Sequence, residues 1–178
     1  MLGVAYVLAG GEAKRYGRDK LAELVDGVPA VSRVARALGW LGPVYLVSRS
    51  EWRCRLYLSL APGAAGCLVD SPPPGCEEGG PGVAIYTALS HALTLGHGVA
   101  VMAAGDMAWL DGDAVRLLAN LMGEGEASAF VHGDGFLESL LQVHRVEGLG
   151  EALEAAQALC RARGGRLRPT DFLRVRRR

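Results

Sequence analysis

Four short runs of aliphatic and β-branched residues, at 3–9, 44–47, 67–69 and 99–103, alternate with stretches of helical spacing, and a Gly or Asp soon follows all but the second. A strand that is apolar at nearly every position, and not at every second one, has to be buried on both faces. Strands alternating with helices of 10 to 15 residues therefore predict an α/β chain with a mostly parallel sheet between two helical layers. After Pro29, Val31, Val34, Ala35, Leu38 and Leu41 recur at helical spacing up to Gly42-Pro43. Ser50 stands where an N-cap would open a second helix through Leu60, residues 83–95 form an amphipathic third, and Asp111 or Asp113 caps a fourth through Met122. Residues 128–131 and 140–144 read as further strands. Leu149, Leu153, Ala156 and Cys160 form the core stripe of a last helix over 149–163. Residues 21–25 are a short extended segment turned by Asp26-Gly27, and residues 71–82 carry too much Pro and Gly to be anything but loop.

Such sheets bind ligands beyond the carboxyl ends of their strands. Gly10-Gly11, Asp70 and Asp106 each fall just after a predicted strand, so they are expected on one edge. The segment from Leu8 to Lys20, LAGGEAKRYGRDK, lacks G-x-G-x-x-G spacing, and its Gly17 is followed by Arg18 where a P-loop has Lys-Ser/Thr. It still suits an anion. Glycines let backbone N–H groups approach closely, and Arg15 and Lys20 add fixed charge. On residues alone, a glycine-rich surface turn satisfies the same pattern. Asp106, a carboxylate at a strand end beside this loop, is a suitable Mg²⁺ ligand. Asp111 and Asp113 read as helix caps, and His132 and His144, without metal-ligand spacing, as ordinary histidines.

Composition narrows the class. The chain of 178 residues has the size of one globular domain, taken as 1–178, and its apolar runs are too short for a membrane span. The N-terminus has no basic region ahead of a cleavage site, so the chain reads as cytoplasmic. Net charge is zero, yet residues 161–178 hold eight Arg against one acid, with a basic C-terminal tail at about 166–178. Phe172 is the one aromatic residue among these Arg and no recognised nucleic-acid motif is present, which argues against nucleic acid. Cys54, Cys67, Cys76 and Cys160 match no zinc pair and no dense disulfide scaffold, so free thiols are expected. The 17 Arg against 2 Lys and only three side-chain amides fit a hot habitat or a GC-rich genome, and a hot habitat is compatible with disulfides.

The 13 residues from Leu8 to Lys20 resemble the signature L-A-G-G-x-x-x-R-x-G-x-D-K of the molybdenum cofactor guanylyltransferase family, and match it throughout. Asp70, then Gly80-Pro81-Gly82 opening a helix, then Gly105-Asp106-Met107 follow in the family's order, so the likeness covers residues 1 to about 115. The resemblance implies a three-layer, Rossmann-like nucleotidyltransferase fold. It implies that Leu8, Ala9 and Gly10 line base and ribose, that Gly11, Arg15, Gly17 and Lys20 hold the triphosphate, and that Asp70 and Gly82 help position the nucleotide. Asp106 would bind Mg²⁺, and Arg15, Lys20 and Asp106 would carry catalysis. The activity implied is transfer of GMP from GTP to the phosphate of a metal-bearing molybdopterin with release of pyrophosphate, with a molybdoenzyme-maturation protein as a partner. The Gly-Gly pair is nearer to the guanylyl enzymes than to their cytidylyl relatives, which tend to carry Ala-Gly. The same chemistry on adenosylcobinamide phosphate or a sugar phosphate, or a non-catalytic GTP-binding role, are the alternatives. Two departures stand out: Glu138-Ser139 where the family has His-Pro, and Phe172-Leu173-Arg174-Val175-Arg176 where it has Phe-x-Asn-x-Asn.

Overall fold

The computed structural model describes residues 3–10, 19–77, 79–123 and 125–173. In chain order the elements are β1 (Gly3–Leu8), a small hairpin of β2 (Leu24–Val25) and β3 (Val28–Pro29), α1 (Ala30–Leu38), β4 (Val44–Ser48), α2 (Glu51–Leu60) and β5 (Gly66–Val69). Then come α3 (Pro81–Leu95), β6 (Val99–Ala104), α4 (Gly112–Leu121), β7 (Ala127–Val131), β8 (Leu137–Arg145), α5 (Leu149–Ala162) and a 3₁₀ turn (Pro169–Phe172). Six strands form one sheet in the order β5-β4-β1-β6-β8-β7. The first four of these are parallel, and β8 runs antiparallel to both β6 and β7.

Both faces of this sheet are covered, as the unbroken apolar runs require. Ala5, Val7, Val101 and Ala103 point into one core with Val31, Val34 and Leu38 of α1, Tyr57 of α2 and Val115 and Leu118 of α4. The intervening residues Val4, Tyr6, Ala100 and Met102 meet Ile85, Ala88, Leu89 and Ala92 of α3 and Leu153 and Ala156 of α5 in a second core. Alternation along β1 and β6 thus feeds two helical layers from one strand. The stripe of α5 expected from the sequence is buried in full.

Several local expectations change. Helix α3 begins at Pro81, two residues before the apolar pattern starts, because Pro81 fits the first helical turn and Gly80 takes φ +86° ahead of it. Ser50 occupies the N-cap position of α2 without capping it by its side chain. The cap of α4 is Asp111, whose Oδ1 accepts the Asp113 N–H at 2.9 Å, while Asp113 pairs with Arg116. Strand β8 starts three residues early, at Leu137, since the turn closed by His132 N–H to the Phe136 carbonyl starts the hairpin there.

Free thiols were the expectation for the cysteines, and the structure overturns it: Cys54 on α2 is bonded to Cys67 on β5, and Cys76, in the loop before α3, to Cys160 on α5. Separations of 13 and 84 residues say nothing of proximity once crossovers bring elements together. Much of the region read as a basic tail is docked. Asp171, fully buried, binds Arg163 and accepts the Arg168 N–H, Pro169 accepts from the Gln142 amide, and Phe172 is in the second core. Residues 174–178, with Arg174 and Arg176, lie outside the described residues. Among the described residues no helix is long and apolar enough to cross a membrane.

Candidate active site

Register brings the strand ends into line. Leu8 is paired with Val47 on one side and Ala104 on the other, and Val47 with Leu68. The residues that follow, Gly10, Arg49, Asp70 and Asp106, therefore emerge along one edge. Leu8, Gly10, Arg49, Gly80, Pro81 and Asp106 line a cavity of about 290 Å³ there, with Leu21, Ala84 and Leu140 among its apolar walls.

At Gly10 the absence of a side chain matters, since a Cβ would sit 3.4 Å from Arg49 Cγ and 3.7 Å from Asp70 Oδ2. Glycine lets the β1 end run directly against this Arg–Asp pair. Asp70 is fixed by its backbone N–H to the Ser48 carbonyl at 2.8 Å, yet both of its carboxylate oxygens are buried without a hydrogen bond. Burial pushes the Asp70 carboxyl above the usual carboxylate range, and the Arg49 guanidinium pulls it part of the way back. Buried oxygens without donors cost free energy, and such groups recur where a ligand completes the set.

Asp106 presents the opposite case: it is exposed at the cavity mouth, and its carboxylate takes no hydrogen bond or ion pair among the described residues. Its position is set by Gly105, whose N–H bonds the Leu8 carbonyl at 3.0 Å and whose missing Cβ would lie 2.7 Å from Leu21 Cδ2. Leu21 thus locks the end of the glycine-rich segment onto the turn that carries Asp106. The same segment is held from behind, where the Tyr57 hydroxyl donates to Asp19 Oδ2 at 2.7 Å and Asp19 Oδ1 accepts the Leu21 N–H at 3.1 Å. Burial, reinforced by the Asp19 carboxylate, raises the Tyr57 hydroxyl's pKa well above its ordinary value, so it stays a donor.

Of the residues singled out in the sequence, Leu8, Gly10 and Asp106 line the cavity and Asp70 adjoins it through Gly10. Ala9 is fully buried, its carbonyl taken by the Ser48 hydroxyl, and faces the first core. Lys20 is exposed in the turn after Asp19. Gly82 is buried against the C-terminal segment, where a Cβ would approach the Leu167 carbonyl to 2.3 Å; Gly80 and Pro81 line the cavity instead. Gly11, Arg15 and Gly17 lie outside the described residues. Sequence reasoning passed over Arg49, although it follows β4 as Asp70 follows β5. Tyr57 gave no signal, being one more apolar position on a helix.

Mg²⁺ suits what is present. It needs only one or two carboxylates, with phosphate oxygens and waters completing its shell. Asp106, exposed and unpaired beside the cavity, matches that demand, whereas no group of three or more His, Cys, Asp or Glu able to hold a metal occurs among the described residues.

The sequence profile of the MobA-like NTP transferase domain family matches residues 5–170. Among solved structures, the chain is similar to the molybdopterin-guanine dinucleotide biosynthesis protein A of Archaeoglobus fulgidus, with 22% identity, TM-score 0.63 and coverage of 89% of this chain and 74% of that one. It is similar to 4-diphosphocytidyl-2C-methyl-D-erythritol synthase of Anaerococcus prevotii at 11% identity, TM-score 0.61, over 88% and 75% of the two chains. A nucleotidyl transferase from a Methanothermobacter aligns over 96% of this chain and 90% of that one at 15% identity and TM-score 0.58. No curated protein matches.

Proposed function

We propose that this chain, which belongs to the MobA-like NTP transferase domain family, moves a guanylyl group from GTP to the phosphate of a metal-bearing molybdopterin and releases pyrophosphate. The observation that carries the reading is the pairing of a buried, unsatisfied carboxylate with an exposed, unpaired one along a single sheet edge, Asp70 beside Gly10 and Asp106 at the mouth. Asp70 offers two acceptors. Guanine presents two adjacent donors, its N1–H and 2-amino group, where adenine and cytosine each present one amino group, so the buried pair favours the guanine nucleotide.

An acceptor phosphate oxygen attacks the α-phosphorus in line, that P–O bond forms, the bond to the β-phosphate oxygen breaks, and pyrophosphate leaves. No covalent intermediate with the protein is required, so the chain's work is placement and charge compensation. Asp106 would hold Mg²⁺, which would supply charge neutralisation for the transferring phosphate. Lys20, which follows the Tyr57-bound Asp19, and Arg15 would supply positive charge to the triphosphate. Gly11 and Gly17, as glycines, would let backbone N–H groups approach the same phosphates. The apolar walls at Leu8, Leu21 and Leu140 exclude water from the reacting centre.

Thermal unfolding with GTP, CTP or ATP, each with Mg²⁺, tests the nucleotide half. At about 100 times Kd the stabilisation is about 2.7 kcal/mol, and GTP is expected to give the largest shift. A larger shift with CTP would move the chain to the cytidylyl branch.

A further inference from the structure

Among the described residues that line the nucleotide cavity, Arg49 is the one basic side chain, and it stands at the end away from Asp106. Two glycines clear its path. A Cβ on Gly10 would lie 3.4 Å from Arg49 Cγ, and a Cβ on Gly79 would lie 2.9, 3.4 and 3.5 Å from its Nη2, Cζ and Nε. The guanidinium therefore rests against the bare backbone of the turn that opens α3, where Gly79 takes φ +85°.

Sheet order sets what this side chain can reach. Only β1 separates β4 from β6, and β5 is one strand further out. With adjacent strands about 4.8 Å apart, Arg49 leaves the sheet about 10 Å from the end that carries Asp106, and Asp70 about 14 Å from it. Mg²⁺ at Asp106 would keep the phosphates on that side, since it bridges carboxylate and phosphate oxygens. Arg49 and Asp70 thus lie where the other end of a nucleotide, its base, would be. Asp70 Oδ2 is 3.7 Å from the same Gly10 position that Arg49 approaches, yet neither carboxylate oxygen takes a hydrogen bond from the guanidinium. A donor fork and two acceptors stand side by side, each with capacity for a ligand. Guanine carries the complement on adjoining edges: the acceptors O6 and N7, then the donors N1–H and 2-amino.

We propose that Arg49 is a specificity-determining residue for the nucleotide, its fork donating to guanine O6 and N7 while Asp70 accepts from N1–H and the 2-amino group. The assignment deepens the guanylyl-transfer reading and rests on it for the identity of the base. Adenine meets the same fork with a 6-amino group, donor against donor, so Arg49 rejects ATP as well as holding GTP. The choice of base then lies at the end of β4, outside the glycine-rich segment from Leu8 to Lys20.

Equilibrium dialysis of the full chain with Mg²⁺ against GTP, 7-deaza-GTP, ATP and CTP tests the proposal on wild type, Arg49→Met and Arg49→Lys. Wild type is expected to bind 7-deaza-GTP, which lacks the N7 acceptor, about fivefold more weakly than GTP. Arg49→Met is expected to bind GTP about tenfold more weakly than wild type does, to bind 7-deaza-GTP as well as GTP, and to bind ATP no more weakly than wild type does. Lysine keeps the charge without the fork, so Arg49→Lys is expected to recover only part of the loss. Equal binding of GTP and 7-deaza-GTP by wild type, which needs no variant, would overturn the proposal. So would equal weakening of GTP and ATP in Arg49→Met, or full recovery by lysine, either of which would mark a charge acting on the phosphates. A preference for GTP that survives unchanged in Arg49→Met overturns the assignment alone, whereas a wild type that prefers ATP or CTP overturns the guanylyl reading and the assignment with it.

Discussion

Asp70 and Asp106 are both carboxylates after a strand, and burial makes them behave differently. Because the folded-state pKa of Asp70 is raised above its unfolded value, the native state holds its proton longer than the unfolded chain does. Stability then falls as pH rises from the ordinary carboxylate range through the raised value, and the cost remains at neutral pH. Asp70→Asn is therefore expected to raise Tm at pH 7, to lose that advantage in acid below the ordinary carboxylate range, and to weaken GTP binding. Thermal melts at several pH values, with and without GTP, check all three. Asp106 is exposed and unpaired among the described residues, so Asp106→Ala should leave the unfolding free energy within about 0.5 kcal/mol of wild type, yet abolish turnover. Persistent turnover would remove Asp106 from the metal site. This much of the site was legible in the sequence because a carboxylate after an apolar run reports its own place at the sheet edge. The unsatisfied state of Asp70 was not, since it depends on Gly10 and Arg49 arriving from other strands.

Capping on α4 is an element-scale test. Asp111 satisfies the Asp113 N–H at the helix start, whereas Asp113 makes only an exposed i,i+3 pair with Arg116. Asp111→Ala is expected to cost about 1 kcal/mol and Asp113→Ala well under half of that, both with normal turnover. Denaturant titrations of the two variants check the order. The sequence placed a cap at one of the two and could not separate them, because either spacing leaves α4 amphipathic. The same limit applied at α3 and β8, where an apolar pattern located the element while Pro81 and the hairpin turn set its start. Helix faces were read well wherever their stripe was unbroken, as on α5.

For the whole molecule, layer order follows from β1 and β6, whose residues are apolar on both alternating sets and so demand helices on both sides. The antiparallel insertion of β8 beside β6 has no comparable mark, as its pairing is settled by partners distant in sequence. Disulfide pairing is likewise a property of the assembled fold. By loop closure, removing Cys76–Cys160 is expected to cost about 4.5 kcal/mol and removing Cys54–Cys67 about 3 kcal/mol. Cys→Ser pairs measured by denaturant unfolding should show that order, and loss of the first should also weaken GTP binding, because Cys76 anchors the loop that delivers Gly80 and Pro81 to the cavity. The central claim is the transfer itself. GTP labelled at its α-phosphorus, incubated with the protein, Mg²⁺ and in parallel metal-bearing molybdopterin, adenosylcobinamide phosphate or a sugar phosphate, tests it most directly. The account predicts label in the pterin dinucleotide with one pyrophosphate released per transfer; label entering another acceptor in preference, or none at all, would contradict it.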